Sequence, residues 1–262
     1  IQRSVYVAAL VFVLFLTVFG AYLLWRDMNR ELRMAEMRSQ FVASVSHELK
    51  TPLTAIRMFA ESLRLGRPED PHAKQEYLET IINESHRLTR LLMNVLDFSK
   101  LEKGKRTYRK DLVSLSDVVK SAARVMRYPL EQQGLQLHMD VDNGIEKLYL
   151  DGDAIEQAVL NLLSNAMKYS RESIDIRLFK RDGNAVIDVS DHGEGIEPAA
   201  QKHIFDKFYR VPSPENERIP GTGLGLALVS HIIAAHDGHV TVDSLPGEGC
   251  TFSIVLPLES QP

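Results

Sequence analysis

Residues Phe41–Leu53 read FVASVSHELKTPL, and the rest of the chain takes its sense from the histidine near their centre. Apolar Phe41, Val42 and Val45 lead into His47, Glu48 follows it directly, and Pro52 stands five residues further on. An imidazole is nucleophilic at neutral pH, and a carboxylate beside it accepts the remaining ring proton, raising electron density on the other nitrogen. A solitary histidine on an amphipathic helix is ordinarily a surface residue. The weight therefore falls on what the flanking chain supplies.

Upstream, Val5–Trp25 (VYVAALVFVLFLTVFGAYLLW) is free of charge and long enough to cross a bilayer as one helix. Arg3 precedes it, and Arg26, Arg30, Arg33 and Arg38 follow, so the positive-inside rule places the C-terminal side in the cytoplasm, with Tyr22 and Trp25 near the interface. The run is too long for a cleaved signal, and no small-residue cleavage site follows. The expectation is a retained membrane anchor over 5–25 behind a stub at 1–4. Because the chain opens on Ile1, it is also expected to be a segment of a longer protein. Residues 26–40 contain neither proline nor glycine, and Met28, Leu32 and Ala35 have coiled-coil spacing. A continuous helix there sets His47 about 33 Å from Trp25 at a rise of about 1.5 Å per residue. No relay domain fits between them.

Beyond His47 the heptad continues through Val42, Leu49, Ile56 and Leu63, with Val45, Pro52 and Phe59 as its companion row. The breaker run Gly66–Pro71 ends that helix, and a second runs over His72–Leu101 on Leu78, Ile81, Leu88, Leu92 and Val95, widened by Ile82, Leu91 and Phe98. One hairpin, 41–103, does not bury both stripes, which predicts that two copies pair as a homodimeric four-helix bundle. A basic linker, 104–110, then leads to a segment of different pattern, 111–258, before a tail at 259–262.

With 262 residues, 44% hydrophobic and 25% charged, the chain holds more than one compact unit. A net charge of -4 gives no basis for nucleic-acid binding, and the single Cys250 excludes an internal disulfide and a CxxC metal site. In the last segment the patterns predict helices at Leu115–Gln132, at Asp153–Lys168 with Asp153 as N-cap, at Pro198–Ile204 and from about Leu224. Strands are predicted at Leu135–Val141, Leu148–Leu150, Ser173–Lys180, Ala185–Ser190, His239–Asp243 and Thr251–Pro257. The mixture implies a sheet covered by helices on one face, an α+β sandwich, and the whole is multidomain.

Four clusters in this segment make sense together. Asn161 and Asn165 stand four apart on one helical face, interrupting an apolar pattern, and their amide oxygens suit Mg²⁺, which shares its shell with phosphates and water; Lys168 adds charge toward those phosphates. Asp191-His-Gly193-Glu-Gly195-Ile196 follows a strand, where a carboxylate takes a hydrogen bond from an exocyclic amine and glycines let the backbone approach a flat ring. Gly221-Thr222-Gly223-Leu224-Gly225 opens a helix whose backbone N–H groups cradle phosphate. Val211–Pro220 before it reads as a lid, and Gly247–Phe252 returns a second glycine pair.

SHELKTPL, NLLSNAMKYS, DHGEGI, FDKFYR and GTGLGL, in that order, resemble the transmembrane sensor histidine kinases of bacterial two-component systems. The resemblance extends over nearly all of Phe41–Leu258. It implies a dimerisation and phosphotransfer hairpin followed by a Bergerat-type ATP-binding domain, using ATP and Mg²⁺ at a bacterial inner (cytoplasmic) membrane, with the kinase domains in the cytoplasm. By it, His47 is the phospho-acceptor, Glu48 the assisting base, and Thr51 the residue that positions water when a partner is dephosphorylated. Asn165 binds Mg²⁺, with Asn161 and Lys168 beside the phosphates and Tyr169 adjoining. Asp191 recognises adenine, while Gly193, Gly195, Ile196 and Thr251 shape that pocket. Phe208, within Phe205–Arg210, borders the lid, and Gly221, Thr222, Gly223, Leu224 and Gly225 hold the phosphates. The implied partner is a response regulator receiver domain, with a helix face around Thr54, Met58 and Phe59 choosing it. The family usually has asparagine where His192 stands, so a phosphate contact at that position is weakened here or made pH-dependent.

Two rival classes share the nucleotide motifs. An ATP hydrolase of the gyrase and heat-shock chaperone type needs a glutamate where Asn161 stands, and an asparagine is no general base. A silent nucleotide-binding scaffold is at odds with the presence of His47, Asn165, Asp191 and the glycines together.

Overall fold

The computed structural model describes residues 2–68, 70–102, 107–211 and 222–258. Helix α1, Gln2–Arg64, is unbroken, and α2, Pro71–Glu102, returns beside it. With no proline or glycine between Trp25 and Pro52, nothing in the backbone interrupts α1 before His47. Pro52 lies inside the helix, where it has no N–H to offer the carbonyl of Glu48. Among the described residues no helix is long and apolar enough to cross a membrane. The side chains of 5–9 and 11, part of the expected 5–25 span, lie outside the described ones. Most of those described there, among them Leu10, Phe12, Val13, Leu14 and Phe15, are exposed.

The hairpin is antiparallel, with Phe59 packed edge-on against Tyr77 at 4.8 Å and Phe41 against Phe98 at 6.0 Å. Val42, Leu53, Met58, Ile82 and Leu92 stay exposed on it, so a single hairpin leaves apolar area uncovered.

The nucleotide-type domain begins with β1, Asp111–Val113, a short strand the sequence reading did not assign. It pairs antiparallel with β3, Leu148–Leu150, and ties the linker to the domain. The main sheet contains β2 (Gln136–Val141), β4 (Ser173–Arg181), β5 (Asn184–Asp191), β6 (His239–Leu245) and β7 (Gly249–Pro257) in the order β2-β4-β5-β7-β6. Only β2 and β4 run parallel; the other neighbours are antiparallel. Helix α3, Leu115–Gln132, starts at Ser114, whose hydroxyl accepts from Asp117 N. Helix α4, Gly152–Tyr169, is capped by Asp151, not by the expected Asp153, because Asp151 Oδ1 is the group that accepts from Ala154 N at 3.0 Å. Helix α5, Pro198–Gln201, is shorter than expected, and α6 spans Gly225–Ala234.

The periodicity that called these helices also faces them to the sheet. Ile155, Leu162 and Leu163 of α4 and Val229, Ile232 and Ile233 of α6 are fully buried, as are Ile174, Ile176, Ile187 and Ile254 of the strands. Burial of each such side chain contributes about 2 kcal/mol. This layer holds the ends of α4, β5 and α6 at one rim, where the clusters singled out in the sequence meet.

Candidate functional site

Asp191, the last residue of β5, is buried, and its Oδ1 accepts from Gly193 N at 3.0 Å. Burial pushes its carboxyl above the usual carboxylate range, against the backbone donors of Gly193 and Cys250. Gly193 has no room for a side chain, since a Cβ there would strike Tyr169 O. Tyr169 closes α4 at the same rim, half-exposed, with its hydroxyl pushed up by burial. Ile196 N donates to Ser244 Oγ at 2.8 Å, which pins the turn to β6. Thr251 Oγ1 meets Ser190 Oγ at 2.8 Å, next to Asp191 on the neighbouring strand. His192 turns to the rim of β4, with Nδ1 3.1 Å from Ser173 O and Nε2 3.8 Å from Asp175 Oδ2.

Asn161 and Asn165 occupy α4 as expected, and Asn161 Nδ2 is buried with no hydrogen-bond partner. A buried, unanswered amide is costly unless something else satisfies it. The N-terminus of α6 offers backbone N–H groups with no side-chain cap at Leu224. Leu224 itself is fully buried, so its backbone alone serves this rim. Gly223, at φ +68°, allows the chain to pass Phe208; a Cβ there would lie 2.7 Å from Phe208 C. Thr222 is partly buried beside it, whereas Gly221 and most of the Val211–Pro220 lid lie outside the described residues. The orphaned Asn161 amide, the uncapped α6 and the close-packed Gly193 turn fit a nucleotide phosphate, its Mg²⁺ and a planar base. Among the described residues no group of three or more His, Cys, Asp or Glu could hold a metal.

The hairpin reaches this domain directly. Phe208, expected at the border of the lid, directs its ring into the hairpin, 4.7 Å from that of Phe41 and 5.2 Å from that of Phe98. Lys207 lies over the Phe98 ring at 5.5 Å. Gln157 Nε2 of α4 donates to Asp97 Oδ2 at 2.9 Å and lies 3.4 Å from Asn94 Oδ1.

The consequence falls on the histidine. His47 is exposed, while Glu48 is 6% exposed, with Oε1 lacking a hydrogen-bond partner. Burial raises the Glu48 carboxyl; Lys168, Arg87, Arg210 and His47, in that order, oppose the rise. Lys168 is exposed to solvent at its tip, though much of the surrounding volume is protein. That environment lowers its ammonium, with Glu48 opposing and Arg87 and Arg210 reinforcing the fall. The expected phosphate-side lysine and the expected assisting carboxylate thus act on one another electrostatically across the domain boundary. Thr51 Oγ1 lies 3.2 Å from His47 O, on the helix beside them. Arg87 and the Gln157 contact carried no local signal in the sequence. Arg210, in contrast, closes the FDKFYR motif.

A helical hairpin with an exposed histidine, docked on an α/β domain, defines a class, and comparison with known proteins agrees. Residues 37–104 match the His Kinase A (phospho-acceptor) domain, and 150–260 match the family described as histidine kinase-, DNA gyrase B- and HSP90-like ATPase. The two matches assign the hairpin to the phospho-acceptor family and the α/β domain to the histidine kinase-type ATPase family. The chain is similar to the sensor-like histidine kinase SenX3 of Mycolicibacterium smegmatis, 35% identical over 88% of this chain and 60% of that protein. It is also similar to the sensor histidine kinase WalK of Bacillus subtilis, 31% identical over 90% of this chain and 39% of WalK. The chain thus spans from about two-fifths to three-fifths of the length of these curated relatives. Among solved structures, full-length ShkA in complex with AMPPNP superimposes with a TM-score of 0.59 at 25% identity, covering 84% of this chain and 45% of that one. The Acinetobacter baumannii histidine kinase AdeS shares the fold with a TM-score of 0.58 at 24% identity, over 82% of this chain and 98% of that one.

Proposed function

We propose that the chain is an ATP-dependent protein-histidine kinase that phosphorylates its own His47 and passes the phosphoryl group to an aspartate of a response regulator receiver domain. The observation that carries this reading is the docking of the nucleotide-type domain on the His47 hairpin, with Phe208 seated 4.7 Å from Phe41 and 5.2 Å from Phe98 and Lys168 acting electrostatically on Glu48, the neighbour of His47. In the step, a ring nitrogen of His47 forms a bond to the γ-phosphorus as the bond from that phosphorus to the β–γ bridging oxygen breaks, and the electron pair leaves with ADP. The proton on the other ring nitrogen passes to Glu48, whose raised affinity for protons suits a base working near neutral pH. Asp191 holds the adenine amine, Asn161 and the α6 N-terminus hold phosphate oxygens, and Asn165 with Asn161 would hold Mg²⁺, which neutralises phosphate charge when bound. ShkA, solved with AMPPNP, supports the nucleotide assignment by likeness. Dephosphorylation of the partner, with Thr51 placing water, belongs to the same reading.

The apolar side chains left on the hairpin support a homodimer as their cover. The chargeless Val5–Trp25 run, mostly exposed where described, supports an anchor in a bacterial inner membrane with both kinase domains on the cytoplasmic side.

The test is incubation with γ-labelled ATP and Mg²⁺ beside His47→Gln and Asn165→Ala. Label on the parent alone, lost in acid and kept in base, is expected. Tight nucleotide binding with no label would replace the kinase by a nucleotide-regulated scaffold.

A further inference from the structure

The groups around Glu48 come from both halves of the molecule. From the hairpin come Glu48 on α1 and Arg87 on α2; from the other domain come Lys168 at the end of α4 and Arg210, two residues after the seated Phe208. Arg87, Lys168 and Arg210 all act electrostatically on this one carboxylate, whose Oε1 has no hydrogen-bond partner. Interpolating between the Phe59–Tyr77 and Phe41–Phe98 contacts puts Arg87 level with about Lys50, one turn or less from Glu48. Arg87 Nη1 meets Glu84 Oε2 at 3.4 Å, a long contact that uses one of its five N–H donors, and its side chain is 36% exposed. Lys168 and His47 are both exposed to solvent.

We propose that Arg87 is a phosphate-positioning residue. With Lys168 and Arg210 it makes a composite anion site beside His47, to which the hairpin contributes its own cation and which is complete only when the two domains are docked. The inference rests on the kinase reading and extends it. A phosphoryl group in transfer spreads its charge over three equatorial oxygens, and a planar guanidinium answers two of them at once where an ammonium answers one. The same cation also faces the phosphate once it is bonded to His47. Arg87 therefore acts on the acceptor side of the transfer, where no residue of the nucleotide motifs is placed by sequence.

Two measurements on the full chain test it, beside Arg87→Ala, Arg87→Lys and Glu84→Ala. In the first, His47 labelling is followed against ATP concentration. Arg87→Ala is expected to lower the saturating rate by about 10²-fold while the half-saturating ATP changes less than about threefold. Arg87→Lys should recover part of the rate, and Glu84→Ala should leave it near the parent. The second needs no ATP. His47 is phosphorylated chemically with phosphoramidate, and its phosphate is titrated by ³¹P NMR. The phosphate's second ionisation, ordinarily near pH 6, is expected to move upward in Arg87→Ala and less so in Arg87→Lys. Unchanged rate and unchanged titration in Arg87→Ala would overturn the proposal. So would a rate loss shared by Glu84→Ala, with the titration unmoved, since that pattern makes Arg87 only a brace of α2. If the parent takes no label from ATP, the kinase reading fails, and the NMR titration still decides Arg87 by itself.

Discussion

At the scale of single residues, two buried groups make the chain sensitive to pH in separable ways. On the proposed reading Asp191 must be ionised to accept from adenine, and burial has raised its carboxyl. Affinity for ADP is therefore expected to fall with acidification at a higher pH than an ordinary carboxylate would give, as read by calorimetry between pH 8 and 5. Asp191→Asn should weaken binding at least about tenfold, because the site then presents a donor where it needs an acceptor. His236 governs stability instead. Its Nε2 accepts from Asp151 N at 3.0 Å and its Nδ1 donates to Ile232 O at 2.7 Å, so it is neutral with its proton on Nδ1. Burial lowers its affinity for protons. Above the ordinary histidine value near 6.5 neither folded nor unfolded chain is protonated there, and the contribution is intact. Below it the unfolded chain takes the proton first, so stability is lost progressively down to the lowered folded value. The melting temperature should drop over that window, and His236→Phe should remove this part of the drop while costing stability at pH 8.

Between elements, the joint of hairpin and nucleotide-type domain has a polar and an aromatic contact that part differently. Gln157→Ala removes a hydrogen bond to Asp97, worth about 1 kcal/mol, or about fivefold in the docked population. Phe208→Ala empties the space against Phe41 and Phe98 and should undock more completely, seen as a larger radius of gyration by X-ray scattering. The elements themselves were largely legible. Periodicity marked α3, α4 and most strands, because one face of each packs on a single sheet. Two local readings went otherwise for identifiable reasons. Asp151 outcompetes Asp153 as cap because it also accepts Arg109 N at 2.8 Å, which ties the linker down, and β1 is too short to show an alternating pattern. The motifs brought Asp191, the asparagines and the glycines to one rim from sequence alone. Glu48 meeting Lys168, the Phe208 seat and Arg87 were invisible, because each depends on how two separately patterned units dock.

Over the whole molecule, α1 joins the N-terminal apolar run to His47 and also carries Phe41, half of the aromatic seat. Turning that helix would move nucleophile and seat together. Inserting one, two or three residues near Arg33 should therefore change His47 labelling with the helical phase, about 100° per residue. An equal response to all three would argue against rotation as the input. Finally, only eight residues separate the end of α2 at Glu102 from the start of β1 at Asp111. So short a tether holds the domain near its own hairpin at an effective concentration on the order of millimolar. A joint with an intrinsic dissociation constant in that same range is half made and half open. Each further 1.4 kcal/mol, from a nucleotide, a partner or a turn of α1, then shifts the balance about tenfold. Lengthening the linker dilutes the domain without touching a single contact, and so resets the balance by arithmetic alone.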